Sequence, residues 1–580
     1  MEIDANSVAL TNTQHIYDLV NLCADFGVEK AVVCPGSRCA PLLIGFGKHP
    51  KVEAISITDE RSAGFVGLGL AEATGNPVLL VCTSGTAAQN FAPAVTEAFY
   101  QQVPLIVITA DRPPEWIDQW DGQTIHQENL YRDHIKGSFI YDEDHIDVGK
   151  KALELAMEGA TGPVHLNVPI REPFYPDSLN EIYFSTKHTK DTKRDFNKVD
   201  NAVWDEFEGL LNSSEKVMVL GGQISPNSDL VELMNQLDAL VVGDVISNLH
   251  GVNGIIKSAD LLFKHLLPTE HTKDTEDFRP ELLVTFGRSV ISKNLKLFLK
   301  DHKPKHHWHI GMGMVGDPFQ SLTKIVEGDP VVIFKKWVGL TTETLRHGDR
   351  QIDEIGFTAE TGRQVENFKS IFQKAQAETN SRLAKILEES DFNYFSAIKK
   401  VIDELPENSV LHLGNSMPVR IANFIGINDS SIEVRCNRGT SGIDGVLSTA
   451  VGHALGSPEK NHTLIIGDLS FFYDRNGLWL NHSFPNNLQI VILNDRGGGI
   501  FNIIPGPSNQ NGLTDLFTTP HNRTAELTAK EFGLDYRAAT SLEAIDGWEA
   551  GILEIFTDME INTKTFKRLT TETRRHREND

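Results

Sequence analysis

The chain has 580 residues, 40% of them hydrophobic and 23% charged, and its 54 basic and 79 acidic side chains give a formal net charge of −25. At roughly 150 residues per domain, this length predicts three or four domains rather than one hydrophobic core. The ordinary globular composition excludes a mainly disordered chain, and the acidic balance argues against nucleic acid or an anionic membrane as the main partner.

The cysteines, the N-terminal segment and the apolar runs bear on the compartment. The five cysteines are odd in number and form no CxxC pair, which favours a reducing cytosol over a disulfide framework and gives no zinc signal. The N-terminal segment MEIDANSVALTNTQH lacks the basic and apolar regions of a secretory signal. No apolar run approaches the roughly 18 residues of a membrane span. We therefore expect a cytoplasmic protein without a membrane span.

Short apolar strands alternate with helical stretches along the chain, and many of the strands end in small or polar turns. This pattern is typical of α/β domains with a doubly wound parallel sheet covered by helices on both faces. The predicted strands are Lys30–Cys34, Val78–Cys82, Leu105–Thr109, Val217–Leu220, Leu282–Phe286, Val410–Leu413, Thr463–Ile466 and Ile490–Leu493. We predict three domains at residues 1–185, 200–355 and 385–580, with a polar linker over residues 178–198 and a charged helix over residues 363–389.

The first and third predicted domains repeat one pattern. Gly69–Gly75 (GLAEATG) precedes a strand that stops at Gly85, and Gly452–Gly456 (GHALG) precedes a strand that stops at Gly467. Small residues let a helix lie close on a sheet, so convergent α/β packing accounts for this repeated pattern. A duplicated domain on either side of a middle domain is the more specific alternative.

Carboxylates follow two predicted strands of the third domain. Asp468 comes after Gly467, and Asp495 stands 27 residues later with Gly497 two positions beyond it. The carboxyl ends of parallel strands share one edge, where open sheets bind ligands. Mg²⁺ takes carboxylate and phosphate oxygens, and the start of the helix after Asp468 can meet a diphosphate. Either aspartate alone would be an ordinary helix N-cap. The combination resembles the metal motif of thiamine-diphosphate enzymes, except that Leu469 stands where that motif usually has glycine.

One family resembles the chain including that leucine, the 2-succinyl-5-enolpyruvyl-6-hydroxy-3-cyclohexene-1-carboxylate synthases of menaquinone biosynthesis. The resemblance extends from about residue 10 to about residue 505. It is carried by Pro35–Arg38 (PGSR), Thr58–Gly64 (TDERSAG), Thr83–Ala87 (TSGTA), Thr109–Glu115 (TADRPPE), Gly414–Met417 (GNSM), Asn437–Gly445 (NRGTSGIDG) and Gly467–Ser470 (GDLS). It implies three domains that bind the pyrimidine, form the middle unit and bind the diphosphate. It also implies thiamine diphosphate with Mg²⁺ (or Mn²⁺), decarboxylation of 2-oxoglutarate and addition of the succinyl carbanion to isochorismate.

The resemblance assigns roles to cofactor residues and implies a homodimer or homotetramer with active sites at the subunit interface. Glu60, which alone could be a helix-start carboxylate, matches the glutamate that binds the aminopyrimidine ring and assists removal of the C2 proton. It would act on a cofactor held by the third domain of the partner subunit. Ile443 matches the residue that wedges between the cofactor rings. The remaining implied cofactor residues are Ser416, Met417, Gly442, Gly467, Asp468, Leu469 and Ser470, and the implied metal ligands are Asp468, Asp495 and Gly497.

Basic residues in the same motifs are expected to bind the carboxylate substrates, because guanidinium groups bind carboxylates in a bidentate manner. A single arginine is usually a solvated surface charge, but several stand here at glycine or proline turns. The implied substrate residues are Ser37, Arg38, Arg112, Gln123, Lys293, Arg420 and Arg438. Two positions depart from the family pattern: Gly122 stands where asparagine is expected, and Asn294 stands where a second basic residue is expected.

Two alternatives remain open at this point. The first is another thiamine-diphosphate enzyme, such as an acetolactate synthase or a 2-oxoacid decarboxylase. Acetolactate synthases usually carry a flavin, and no GxGxxG follows a strand here. The second is a catalytically inactive relative that serves as a binding or regulatory protein. The joint presence of Glu60, Asp468 and Asp495 argues against that alternative.

Overall fold

The structure, a computed structural model, describes residues 14–142, 146–172, 174–175, 201–266, 273–346, 359–480, 484–504, 506–510, 512 and 514–571. Three sheets of six, five and six strands lie along the described chain, and their strand pairs are all parallel. This confirms the predicted α/β class with three parallel sheets. The predicted linker over residues 178–198 and most of the N-terminal segment lie outside the described residues. The three domain ranges stay predictions.

The first sheet has the strand order β2-β1-β3-β4-β6-β5. Its strands are β1 Lys30–Val33, β2 Glu53–Ser56, β3 Val78–Cys82, β4 Leu105–Asp111, β5 Gly137–Ile140 and β6 Val164–Pro169. Its helices are α1 Gln14–Asp25, α2 Ala40–Lys48, α3 Glu60–Thr74, α4 Thr86–Asn90, α5 Ala92–Gln101 and α6 Ile146–Met157. Val32 packs in one apolar cluster and its neighbours Ala31 and Val33 in another. Because successive side chains point to opposite faces, both faces of the sheet are covered.

The middle sheet has the order β11-β10-β9-β7-β8. Its strands are β7 Val217–Gly221, β8 Leu240–Gly243, β9 Leu282–Phe286, β10 His306–Gly311 and β11 Lys324–Glu327. Its helices are α7 Asn201–Ser213, α8 Ser228–Gln236, α9 Ala259–Leu266, α10 Lys293–Asp301 and α11 Pro330–Arg346. The long helix α12, Ala359–Glu388, follows. Phe368 and Phe372 of α12 pack in the middle unit, whereas Leu383 and Ile386 pack in the third. This helix therefore joins the two units.

The third sheet has the order β13-β12-β14-β15-β17-β16, which is the same pattern as in the first sheet. Its strands are β12 Val410–Leu413, β13 Glu433–Arg435, β14 His462–Gly467, β15 Leu488–Asn494, β16 Tyr536–Ala539 and β17 Ile552–Phe556. Its helices are α13 Tyr394–Asp403, α14 Met417–Ile425, α15 Val446–Gly456, α16 Asp468–Asp474, α17 Thr514–Thr518, α18 Glu526–Glu531 and α19 Met559–Thr571. The first and third units, which share a sequence pattern, therefore also share a strand order.

Helices α3 and α15, which contain the echoed small residues, pack against each other. A Cβ atom on Gly69 would lie 2.0 Å from the carbonyl oxygen of Thr449, and one on Gly452 would lie 2.0 Å from that of Val66. Both glycines are therefore required because two helix backbones meet there. The packing expected from the sequence was of a helix on a sheet, but the closest approach here is of a helix on a helix.

Two further findings bear on the expectations about compartment. Within the described ranges, none of the helices combines the length and hydropathy that a membrane crossing requires. All five cysteines are buried and free of disulfides.

Candidate active site

The carboxyl edge of the third sheet holds the predicted metal residues. Strand β14 ends at Gly467, which pairs with Leu493 of β15, so Asp468 and Asp495 follow two neighbouring strands. Both aspartates are buried, with 3% and 6% of their surface exposed. The sequence prediction that two strand ends bring carboxyl groups to one edge agrees with this register.

Hydrogen bonds orient these two carboxyl groups. Asp468 accepts the backbone N–H groups of Leu469 (2.6 Å) and Gly497 (3.0 Å), so the Leu469 N–H is already bonded within the chain. The Nε2 atom of His521 lies 3.2 Å from Oδ2 of Asp468. Asp495 accepts the side-chain amide of Asn562 at 3.4 Å. Burial, followed by the negative charge of Asp495, raises the pKa of Asp468 to about 8, and burial raises the pKa of Asp495 to about 6.

The donor set at this edge fits a hard divalent cation. Two buried carboxylates side by side are unfavourable as anions unless a positive charge lies between them. Oxygen ligands of this kind suit Mg²⁺ or Mn²⁺ rather than softer ions. A Cβ atom at position 497 would lie 2.6 Å from the carbonyl oxygen of Thr518, so Gly497 is needed for the chain to pass here. The metal-ligand role of the Gly497 carbonyl stays a prediction.

Three loops with the implied cofactor residues meet beside this edge. The side-chain amide of Asn415 donates to the carbonyl oxygens of Asn437 and Gly442, at 2.7 Å each. The hydroxyl of Ser470, on α16, donates to the carbonyl oxygen of Ile443 at 2.5 Å. The side chain of Ile443 is 41% exposed although its loop is tied down on both sides. An apolar side chain held out of the core in this way is available to a ligand.

The residue that precedes α14, Ser416, has a strained backbone conformation. Ser416, directly before Met417, has φ 74° and ψ −121°, which a residue with a side chain rarely adopts. Such strain costs about 1–3 kcal/mol and tends to be retained at functional sites. The hydrogen bond from Asn415 to Gly442 places Ser416 and Met417 beside the loop that contains Gly442 and Ile443.

A glutamate that the sequence motifs did not include holds one of these loops. Glu97, on α5 of the first unit, is 1% exposed. Its carboxylate accepts the backbone N–H groups of Gly439 (2.7 Å) and Thr440 (2.6 Å) and the hydroxyl of Thr440 (2.6 Å). Gln101 donates to the same carboxylate at 2.8 Å. The first unit thus positions the loop that follows Arg438 within one chain.

The predicted substrate residues of the first unit lie at the carboxyl edge of its own sheet. Arg38 donates to the carbonyl oxygen of Ile170 at 2.7 Å, and its Nε is buried without a hydrogen-bond partner. Burial, followed by the positive charge of Arg112, lowers the pKa of Arg38. Arg112 bonds Ser84 and forms an ion pair of 3.0 Å with Asp121. Ser37 and Gln123, the other substrate residues that the resemblance implies in this unit, are exposed on the adjoining loops.

The predicted substrate residues of the third unit form a second group. The Nε atoms of Arg420 and Arg438 are both buried without a hydrogen-bond partner. Burial, followed by the charge of Arg438, lowers the pKa of Arg420. Within one chain the four predicted arginines therefore fall into two pairs, one in the first unit and one in the third.

A lysine that the sequence motifs did not include belongs with this second group. Burial lowers the pKa of Lys296, and the charges of Arg438 and Arg420 lower it further against the opposing effect of Asp244. Lys293, the lysine chosen by motif position, is exposed at the start of α10. The substrate role of Lys293 stays a prediction. Asn294, which replaces the expected basic residue, bonds Asp260 through its backbone N–H and side-chain amide.

Glu60 is partly buried at the first position of α3. Its carboxylate accepts a hydrogen bond of 3.3 Å from Asn90. Its neighbour Arg61 donates to the carbonyl oxygen of Tyr473 at 2.8 Å, and Asn476 donates to Asp59 at 2.7 Å. These bonds join the start of α3 to Tyr473 of α16 and to Asn476, which follows that helix in the same chain. That Glu60 serves the site of a partner subunit stays a prediction.

Comparison with known proteins identifies the family. The family model "Thiamine pyrophosphate enzyme, N-terminal TPP binding domain" matches residues 17–131. A Cytophaga hutchinsonii protein is 39% identical over 576 residues, which is 96% of this chain and 98% of the relative. Relatives from Flavobacterium johnsoniae (38% over 557 residues; 93% and 95%) and Bacteroides fragilis (37% over 579 residues; 96% and 95%) match similarly. All three are named 2-succinyl-5-enolpyruvyl-6-hydroxy-3-cyclohexene-1-carboxylate synthase.

The strand-end carboxylates, the converging loops and nearly full-length relatives agree with one another. The chain belongs to the 2-succinyl-5-enolpyruvyl-6-hydroxy-3-cyclohexene-1-carboxylate synthase family of thiamine-diphosphate enzymes.

Proposed function

We propose that the protein decarboxylates 2-oxoglutarate and adds the remaining four-carbon unit to isochorismate, giving 2-succinyl-5-enolpyruvyl-6-hydroxy-3-cyclohexene-1-carboxylate. The observation that carries this proposal is the pair Arg420 and Arg438, whose Nε atoms are buried and without a hydrogen-bond partner. Arg438 also donates through Nη1 to Oδ1 of Asn415 at 3.0 Å, but a buried N–H group without a partner is costly unless an acceptor such as an anion meets it. Both proposed substrates supply carboxylates, which arginine binds in a bidentate manner.

The basic group formed by Arg420 and Arg438 of the third unit and Lys296 of the middle unit is suited to a dicarboxylate. Burial and then the charge of Arg438 lower the pKa of Arg420, and burial and the charges of Arg438 and Arg420 lower the pKa of Lys296, so like charges repel within this group. A dianion placed among them would relieve this repulsion. The second pair, Arg38 and Arg112, would meet the carboxylates of the other substrate if the first unit of a partner subunit faces this edge.

Asp468 and Asp495 are the residues that would hold the divalent metal ion, Mg²⁺ or Mn²⁺, and through it the diphosphate. Thiamine diphosphate, when bound, supplies the carbon centre that accepts the 2-oxoacid and stabilises the charge left by the departing carbon dioxide. The exposed side chain of Ile443 would support the cofactor rings, and Ser416 and Met417 would line the same space.

Glu60 would hold a proton at the aminopyrimidine ring of the cofactor. Its carboxylate is already oriented by Asn90. We propose that this glutamate comes from the partner subunit, in a homodimer or homotetramer. In support, the predicted arginines form two separate pairs within one chain, Arg38 with Arg112 and Arg420 with Arg438. We also propose a cytoplasmic location, because free buried cysteines are typical of reducing compartments.

The test is a coupled assay of the full-length protein with thiamine diphosphate and Mg²⁺. We expect product formation that requires both 2-oxoglutarate and isochorismate. Parallel reactions with pyruvate alone serve as the control for an acetolactate-synthase-like or decarboxylase activity. Turnover of pyruvate without use of 2-oxoglutarate would overturn the proposed substrates while leaving the cofactor assignment intact.

A further inference from the structure

Three histidines that the active site does not use converge inside the third unit. His412 lies on β12, His453 on α15 and His462 at the first position of β14. One ring nitrogen from each lies within 4.8 Å of the other two, and all three side chains are buried. His462 stands 9 residues after His453 and His412 stands 41 residues before it, and this spacing matches no local metal-binding motif.

The nitrogen atoms of these rings are arranged as metal ligands rather than as a complete hydrogen-bonded set. Nε2 of His412 and Nδ1 of His462 lie 3.0 Å apart. Nε2 of His453, in a side chain only 2% exposed, has no hydrogen-bond partner. A buried polar atom without a partner is costly. A metal ion at the centre of the three rings would satisfy it.

Ser457 orients the rings of His453 and His462 by contacting the nitrogen of each ring that faces away from the cluster. Nε2 of His462 lies 3.2 Å from the carbonyl oxygen of Ser457 and 3.1 Å from its hydroxyl, which leaves Nδ1 facing His412. The same hydroxyl lies 3.4 Å from Nδ1 of His453, which leaves Nε2 of that ring facing the cluster. Metal-binding histidines commonly donate their second N–H to a carbonyl in this way.

The electrostatic surroundings keep the rings neutral. Burial is the main reason why the pKa values of all three histidines are lowered. Neutral imidazole is the form that binds metal. Arg435 and Lys460 add positive charge near the rings, and Glu433 forms ion pairs with both. The partial neutralisation by Glu433 reduces their repulsion of a cation.

We propose that His412, His453 and His462 bind one divalent transition-metal ion of the zinc type, with water in the fourth position. Three nitrogens bound at about 2.0–2.1 Å in a tetrahedron lie about 3.3 Å apart, close to the spacing already present between His412 and His462. The nitrogen donors select zinc over Mg²⁺. The ion would join β12, β14 and α15 at the opposite end of β14 from Asp468, so its role is structural.

The test measures metal in the full-length holoenzyme, with saturating Mg²⁺ and thiamine diphosphate to occupy the carboxylate site. After incubation with Zn²⁺ and gel filtration, we expect about one zinc per chain, and with Co²⁺ the visible absorption of a tetrahedral centre. His453→Leu should lose the zinc. The matched control His165→Gln, which removes a buried histidine of the first sheet, should keep it. Asp468→Ala should keep it as well.

Ser457→Ala provides a milder variant that leaves all three ligands in place. We expect its zinc affinity, measured by competition with a chromophoric chelator, to fall about 10–100-fold with an unchanged circular-dichroism spectrum. Wild-type protein that retains less than about a tenth of an equivalent of zinc would overturn the proposal. Equal zinc in folded His453→Leu and wild type would also overturn it. If His453→Leu does not fold, the wild-type content and Ser457→Ala decide.

Discussion

At the scale of single residues, burial favours the protonated carboxyl of both Asp468 and Asp495, and the charge of Asp495 adds to this effect at Asp468. Their raised pKa values, about 8 and about 6, mean that the metal-free site holds a proton at neutral pH. A cation binds the ionised carboxylates, so protons and metal compete. This competition should make the binding of the metal and diphosphate stronger as the pH rises.

We expect the affinity for Mg²⁺ and thiamine diphosphate to rise between about pH 6 and 8 and to level off above, because deprotonation of Asp468 frees the ligand. Calorimetry near pH 7 in two buffers of different ionisation enthalpy should reveal proton release on binding. Asp468→Asn, which removes the titrating group, should bind more weakly and lose this proton release. An affinity independent of pH across that range, without proton release, would contradict the assignment.

The basic residues near the third sheet allow a matched comparison between two lysines of one helix. We expect Lys296→Met to lower kcat/KM for one or both carboxylate substrates more than tenfold, because Lys296 lies close enough to Arg420 and Arg438 for their charges to lower its pKa. Arg420→Met should act in the same direction. Cofactor affinity should stay near wild type in both variants.

Lys293→Met is the companion variant, since Lys293 is exposed in the single chain. We expect a smaller effect than for Lys296→Met in steady-state kinetics at several substrate concentrations. A larger loss of kcat/KM in Lys293→Met than in Lys296→Met would support Lys293, the lysine chosen by motif position, as the substrate residue. Kinetics within twofold of wild type for both lysines and for Arg420 would remove the substrate role of this group.

At the scale of elements, the loop after Arg438 depends on a carboxylate from another unit. Glu97→Gln keeps the size of the side chain but replaces an acceptor that receives three hydrogen bonds from Gly439 and Thr440. Hydrogen bonds to a charged group contribute about 1.5–3 kcal/mol each, so the loop should loosen. We expect a higher KM for the carboxylate substrates with smaller effects on cofactor binding.

Glu154→Gln is the control for Glu97→Gln, because Glu154 is an exposed glutamate on α6 of the same unit. Substrate titrations and thermal unfolding of both variants separate a positioning effect from general destabilisation. A loss of stability in Glu97→Gln without a change in KM would mean that the carboxylate serves only the fold.

Much of the element pattern could be predicted from the sequence, but the surfaces on which elements meet could not. Val78–Cys82, Leu282–Phe286 and Val410–Leu413 have the observed bounds because buried parallel strands are continuous apolar runs that end in turns. The small residues of α3 and α15 indicated close packing, but the expected partner was a sheet and the observed partner at Gly69 and Gly452 is the other helix. Glu97 and Lys296 were missed because a lone charge on a helix acquires its role only from the neighbour that the fold supplies.

At the scale of the whole molecule, the predicted active site is divided between units. The pair Arg38 and Arg112 lies in the first unit, whereas Arg420, Arg438 and Asp468 lie in the third. If each site joins the first unit of one chain to the third unit of another, two damaged chains can complement each other.

Mixed dimers of Glu60→Gln and Asp468→Ala chains test this division. One of the two sites would carry both changes and the other neither, so we expect partial recovery of activity in a purified heterodimer. Each homodimer should be inactive for a different reason. Glu60→Gln should bind the cofactor but exchange its C2 proton about 10²–10⁴-fold more slowly, as measured by NMR after acid quench. Asp468→Ala should fail to bind the cofactor. A verified heterodimer without recovery would place Glu60 and Asp468 in the same chain's site.

The glycine contact between α3 and α15 has a consequence for how the protein melts. Because Gly69 and Gly452 bring two helix backbones together without intervening side chains, neither unit can open at this contact without exposing the other. The first and third units should therefore unfold in one cooperative transition. Ligand that binds only the folded state stabilises everything that unfolds with its site. Cofactor held at the third sheet should thus protect amide hydrogens in the first sheet from exchange, although no atom of the cofactor need touch them.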